Sequence, residues 1–117
     1  MIAEKLQALV HLRLLNTRMK DYFDLWLLTR QAELKRDVLA LAIQRTFENR
    51  GMPIDPRPIG LSSAFGNDPT KQIQWTAFIK RSRLTQVPQS LSEVVEELDK
   101  FFETILNQDL AGQSEVG

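Results

Sequence analysis

The chain contains no cysteine and a single histidine, His11, among 117 residues. Disulfide staples, cysteine-held metals and thiol nucleophiles are therefore excluded, and no pair of histidines is present to start a metal site. The cysteine-free composition suits a reducing cytoplasm, which is the expected compartment. No glycine-rich phosphate loop occurs, and "SSAFG" does not have the GxSxG spacing of a nucleophile elbow. No apolar run approaches the roughly 20 residues that cross a bilayer, so no membrane association is expected. Glu4 and Lys5 interrupt the apolar pattern of "MIAEKLQALV", which rules against a signal peptide. Strand-like alternation never extends beyond a few residues, and there is no internal repeat.

What is present is a composition of 43% apolar and 26% charged residues, that of an ordinary folded domain and not of a disordered chain. A chain of this length buries roughly 65% of its unfolded surface, enough for one core. The formal net charge is zero but unevenly spread: residues 1–83 carry 14 Lys/Arg against 8 Asp/Glu, and residues 84–117 carry 1 against 7. A basic body and an acidic last helix can dock on each other, stay solvated, or turn the basic side to phosphates.

The apolar spacing reads as helix throughout. Residues 2–15 place Ile2, Leu6, Leu9, Val10 and Leu14 on one side. Asn16 and Thr17 suit the cap of a second helix reaching Gln31. Asp37 suits the cap of a third, with Val38, Leu39, Ala42, Ile43, Thr46 and Phe47 on one side and Gly51 as its stop. "GMPIDPRPIG", Gly51 to Gly60, holds three prolines and two glycines and reads as an extended loop. "LSSAFGND" reads as a short helical turn. Asp68-Pro69 opens a helix to about Arg83, with Asp as cap and Pro at the first helical position. "SLSE" forms a capping box of Ser90 and Glu93. It starts the clearest stripe, formed by Leu91, Val94, Val95, Leu98, Phe101, Phe102, Ile105 and Leu106. The expected fold is an all-α, single-domain bundle of about five main helices with a Pro-rich loop in the middle. Residues 1–107 form the helical domain and residues 108–117 a frayed polar tail.

One stretch breaks the usual separation of charged and apolar faces. "NTRMKDYFDLWLL", Asn16 to Leu28, crowds Arg18, Lys20, Asp21 and Asp24 into seven positions. On a helical wheel Lys20, Asp21 and Asp24 share a narrow arc bordered by Leu27 and Leu28. In the preceding helix Lys5 falls between Leu9 and Leu12, inside the apolar arc. A short linker makes the two helices a hairpin and can bring Lys5 to the charged arc. A partly buried lysine needs a partner, because an unpaired buried charge costs several kcal/mol. Two readings stand at this point. The charges are either an ion-pair network that ties the hairpin together or a face turned to polyphosphate or metal.

Elsewhere the candidates are plainer. His11 reads as surface or satisfied core. Lys80, Arg81 and Arg83 in "IKRSR" sit where cations meet a helix C-terminus, with nucleic-acid contact as the alternative. Trp75 and Phe78 read as core anchors in preference to base-stacking platforms.

The blocks "AEKLQALV", "NTRMKDYFDLWLL", "TFENRGMP" and "GLSSAFGNDPTKQIQWTAFIKR" resemble consecutive blocks of the AbiEii/AbiGii-type nucleotidyltransferase toxins. These are abortive-infection and toxin–antitoxin proteins of the DNA polymerase β superfamily. The resemblance runs from about Ile2 to Leu106. It implies transfer of a nucleoside monophosphate from a triphosphate, in some members onto RNA. It also implies that Lys5 meets the triphosphate and Asp21 has a catalytic, base-like role, with Arg18, Lys20 and Asp24 in support. Complete members carry an earlier Gly-Ser block and an Asp-x-Asp pair that hold Mg²⁺ beside the triphosphate. Neither has a counterpart here. The chain is thus expected to be the C-terminal helical part of such an enzyme, binding no metal or cofactor by itself and inactive alone. The expected partners are a metal-holding N-terminal nucleotidyltransferase domain or an antitoxin, with RNA and a second copy of the chain as further candidates. The alternative expectation is a stand-alone helical interaction module, a degenerate toxin that self-associates or binds an antitoxin.

Overall fold

A computed structural model describes residues 2–15, 18–31 and 34–107. The expected caps Asn16 and Thr17 and the expected tail 108–117 lie outside the described residues. Among the described residues there are six α-helices and no strand. They are α1 (Ile2–Leu12), α2 (Met19–Gln31), α3 (Arg36–Asn49), α4 (Ser63–Gly66), α5 (Pro69–Arg81) and α6 (Leu91–Thr104). The all-α bundle read from the sequence is the fold found. Single 3₁₀ turns follow α1 at Arg13–Leu15 and precede α4 at Ile59–Leu61.

Helix α6 is the spine. Its Leu91, Val94, Val95, Leu98 and Phe102 are buried on one face, the narrow stripe that a period of 3.6 produces. Against it pack α2, α4 and α5, while α1 packs between α2 and α3. Trp75, Tyr22, Phe47, Phe65 and Phe102 are the largest fully enclosed side chains. Tyr22 of α2 stacks on Phe65 of α4 with centroids 5.0 Å apart, the offset arrangement that aromatic quadrupoles favour. Trp75 and Phe78 are core residues, and the Trp75 indole donates to the Pro88 carbonyl at 3.0 Å.

The helix ends follow the sequence in part. Asp68 caps α5 by accepting from the backbone N–H groups of Thr70 and Lys71, with Pro69 in the first turn. Gly51 stops α3 with φ +62°, where a Cβ is disfavoured. Four details differ. The first helix turns to 3₁₀ geometry after Leu12. Helix α3 begins at Arg36, so Asp37 lies inside its first turn, and Val38 and Ala42 point to solvent. Helix α5 ends at Arg81, two residues early. Ser90 stands at the N-cap of α6 but makes no capping hydrogen bond, because its hydroxyl pairs with that of Ser92 at 2.5 Å.

The acidic α6 is held by apolar burial more than by charge. Arg30 meets Glu97 at 3.4 Å, but both side chains are about half exposed, where such a pair is worth about 0–1 kcal/mol. The Trp26 indole also donates to Glu97.

Between α3 and α4 the Pro-rich loop runs from Met52 to Pro58 with no helix or strand, as the sequence indicated. It is pinned where Gly60 meets the hairpin. The Tyr22 hydroxyl donates to the Gly60 carbonyl at 2.8 Å in a buried setting. A Cβ at Gly60 would stand 2.6 Å from a Leu9 methyl and 3.0 Å from the Leu9 carbonyl, so only glycine fits.

Candidate functional site

Leu6, Leu9 and Val10 sink one side of α1 into the core, and Met19, Tyr22, Leu25 and Trp26 do the same for α2. With those faces buried, Lys5 and the Asp21/Asp24 pair are left at the seam between the two helices. Asp21 and Asp24 are three positions apart, so both carboxylates point the same way.

The Lys5 ammonium donates to Asp24 Oδ2 at 2.9 Å and stands 3.7 Å from Asp21 Oδ1. Lys20 donates to the same Asp24 oxygen at 2.8 Å. Arg18 Nε approaches Asp21 Oδ2 to 3.1 Å. The inner members are largely covered, with side-chain exposures of 24% for Lys5, 9% for Asp21 and 17% for Asp24. Arg18 and Lys20 are exposed on the rim at 61% and 74%. All five residues singled out in the sequence therefore meet in one cluster.

Asp21 Oδ2 is buried without an aligned hydrogen bond, although the exposed Arg18 lies over it.

The charge balance of the cluster shifts two of its groups. The Lys5 amine is raised above its ordinary 10.5, first by the hydrogen bond to Asp24, against the lowering effect of burial, with further help from the Asp24 and Asp21 charges. Burial pushes Asp24 up, but hydrogen bonds from Lys20 and Lys5 outweigh it and hold the carboxyl below its ordinary 3.8.

This cluster forms the floor of an open cleft of about 660 Å³, bounded by Glu4, Gln7, Ala8, Leu27, Leu28 and Arg50. Four cations face three carboxylates across it, so a ligand entering between them meets exposed Arg18, Lys20 and Arg50 above a paired floor. Sequence reasoning missed Arg50 and Glu4. Arg50 sits beside the Gly51 stop of α3, inside the "TFENRGMP" block, so a cation at a helix C-terminus was the available signal. Its approach to α1 is a tertiary fact that no local pattern contains.

Of the basic cluster at the end of α5, only Arg81 reaches this region among the described residues. It lines a second cleft of about 530 Å³ on the other side of Asp21, while Lys80 and Arg83 project to solvent away from both clefts. His11 is exposed and borders a further cleft with Arg50 and Arg18.

A divalent ion has no fitting donor set here. Asp24 is shared by two lysines and Asp21 by Lys5 and Arg18, and the described residues contain no group of three acidic or imidazole side chains suited to a metal. Nor is any described helix long and apolar enough to cross a membrane.

The all-helical bundle sets a partly buried lysine against two carboxylates beneath a rim of arginine and lysine. The profile of the nucleotidyl transferase AbiEii toxins, of type IV toxin–antitoxin systems, matches residues 1–106, and the chain belongs to that family. No curated protein and no solved structure matches it.

Proposed function

We propose that this chain supplies the cationic wall of a nucleoside-triphosphate site in a nucleotidyltransferase, and that the ligands of the catalytic metal come from a segment or chain outside the described residues. The observation that carries the reading is the Lys5–Asp21–Asp24 cluster under an exposed cationic rim, in a chain of this family.

In this reading Lys5 and Lys20 meet the triphosphate oxygens, and Arg18 swings from Asp21 to a phosphate. Cations fixed in a half-buried site stabilise developing phosphoryl charge better than mobile ions in water, because their positions need no reorganisation. The acceptor hydroxyl oxygen attacks the α-phosphorus and the bond to the β-phosphate breaks. Diphosphate leaves, and the hydroxyl proton passes to Asp21 Oδ2, the oxygen that Arg18 has uncovered. Asp24 holds Lys5 and Lys20 in place. A divalent ion, held by ligands outside the described residues, would supply further charge neutralisation. Because the described residues offer no carboxylate set for a divalent ion, no transfer is expected from the chain alone.

Equilibrium binding of labelled ATP to the purified chain, without divalent metal, tests this. Measurable binding that Lys5→Met abolishes is expected. Binding indifferent to Lys5, or no binding at millimolar ATP, would overturn the reading.

A second reading has its own observation. Helix α3 packs mainly on α1, and its outer face presents Val38 and Leu41 at 60% and 46% exposure. Exposed aliphatic pairs favour association. In this reading α3 is the docking face of a partner, either a second copy or an antitoxin. Light scattering across a concentration series tests the self-association arm, and a strictly monomeric species counts against it.

A further inference from the structure

A third cleft, of about 470 Å³, opens beside the Lys5 cleft. Two helix ends set its walls. Helix α1 gives way to the 3₁₀ turn at Arg13, whose φ of +52° turns the chain aside and leaves His11 exposed in the last helical turn. Helix α3 ends at Asn49, and Arg50 and Gly51 lead the chain across to α1, where the buried Gln7 amide donates to the Met52 sulfur at 3.3 Å. Arg18 closes the cleft from just before α2.

His11, Arg18 and Arg50 thus face one space, and no carboxylate lines it. His11 and Arg50 have no side-chain hydrogen bond or ion pair among the described residues. A cation in the last turn of a helix compensates the helix dipole, which accounts for His11 and Arg50 one at a time. It does not account for their convergence with Arg18, which comes from the opposite end of another helix. Positive charges gathered without a counter-charge repel one another, and an anion placed among them removes that repulsion. A tetrahedral oxyanion suits these donors, because a guanidinium fork takes a pair of its oxygens and an imidazole N–H takes another.

We propose that this cleft is a separate site for a free phosphate-class anion such as diphosphate, and that its occupation weakens triphosphate binding in the Lys5 cleft. The link between the two is physical, because Arg18 and Arg50 line both. An anion on the His11 side draws those guanidiniums toward itself and places negative charge beside the first cleft. By reciprocity, a triphosphate in the first cleft weakens the anion by the same factor. The coupling rests on the reading of the Lys5 cleft as the triphosphate site, whereas the anion site does not. The same donors would accept the outer phosphate of a triphosphate seated in the first cleft, and the test separates that source from a free anion.

The full chain is titrated with diphosphate, ATP and sulfate in metal-free buffer. Calorimetry gives the affinities, and the ring signals of His11, the single histidine of the sequence, locate the anion. Circular dichroism confirms that each variant is folded. Diphosphate is expected to shift the His11 ring, with binding weakened about ten-fold by Arg50→Gln and about three-fold by His11→Gln. Lys5→Met should leave diphosphate, and His11→Gln should leave ATP, within about two-fold of the parent. Added diphosphate should weaken ATP about five-fold and then level off, as two coupled sites require and one shared site does not. Arg18 and Arg50 keep their charge in the neutral range, and so does sulfate. Sulfate should therefore bind about three-fold tighter at about pH 5.5 than at about pH 7.5, a difference that His11→Gln removes. Diphosphate binding lost in Lys5→Met, ATP weakened by His11→Gln as much as diphosphate, or a pH difference that survives His11→Gln would overturn the proposal. A His11 ring unmoved by millimolar diphosphate overturns the anion site alone. Diphosphate binding at His11 without any binding of ATP overturns the coupling together with the triphosphate reading.

Discussion

Lys5 on α1 and Asp24 on α2 are joined by a hydrogen bond of 2.9 Å across 19 positions of sequence, and Lys20 completes the contact from the solvent side. The carboxylate of Asp24 is thus the common acceptor of an inner and an outer lysine. This one oxygen couples the hairpin's stability to the cationic face of the cleft.

The first prediction concerns that coupling. A double-mutant cycle with Lys5→Met and Asp24→Asn, read by chemical denaturation, should give an interaction of about 1 kcal/mol. This lies above most exposed pairs and below a fully buried one, as partial burial requires. Asp24→Asn alone should also loosen Lys20, whereas Lys5→Met alone leaves Lys20 in place.

The pH dependence follows from two shifts of opposite sign. Asp24 is held below its ordinary 3.8, so its stabilisation is present above that value and is lost as pH falls through the folded-state pKa. Lys5 is raised above 10.5, so its contribution is complete below that value and is lost as pH rises through the higher folded-state pKa. Asp99 runs the other way among the acids: burial and the neighbouring Glu103 raise it, against a lowering by Arg57. Its ionisation weakens the fold as pH rises through the acid range. Denaturation midpoints between pH 2 and 7 should therefore be compared in the parent and in Asp24→Asn, with the acid loss specific to Asp24 reduced in the variant. An identical pH profile in the two proteins would contradict the pairing.

The anchor of the Pro-rich loop gives a prediction independent of function. Tyr22→Phe removes the donor to the Gly60 carbonyl and should cost about 1–2 kcal/mol. Gly60→Ala should cost about 1–3 kcal/mol or more, because its methyl meets a Leu9 methyl and the Leu9 backbone at once. Thermal midpoints check both. A neutral Gly60→Ala would mean that the loop does not rest on the hairpin in this way.

For chemistry, the purified chain with Mg²⁺, any nucleoside triphosphate and RNA should show no transfer of labelled nucleotide. Both aspartates of the cluster are occupied by cations, which leaves no carboxylate pair to chelate the ion. Robust incorporation by this chain alone would show that the metal site is assembled from residues assigned no such role here.

How far the sequence reaches is best seen in particular residues. Lys5 betrayed itself by lying inside an apolar arc, and Asp21 and Asp24 by a charged sliver too narrow for a solvated flank. Helical periodicity fixes direction around an axis, so these three were legible once a hairpin was assumed. The α6 stripe was legible for the same reason, and so was the Asp68-Pro69 start of α5, where cap chemistry is local. Arg50 and Arg81 were not assigned to the clefts, because their positions depend on how α3 and α5 cross the hairpin. Ser90 shows the limit of local rules: the capping box was written in the sequence, but a nearer hydroxyl, Ser92, captured the side chain. Val38 and Ala42 were read as inward because a broad apolar stripe does not reveal which edge meets a neighbour.

The most direct test of the central claim is an NMR titration of the isotopically labelled chain with ATP in metal-free buffer. The account predicts progressive shifts concentrated on α1 around Lys5 and on the first turns of α2 around Lys20, Asp21 and Asp24, and their disappearance in Lys5→Met. Unchanged signals at millimolar ATP, or shifts centred away from this seam and retained without Lys5, would contradict it.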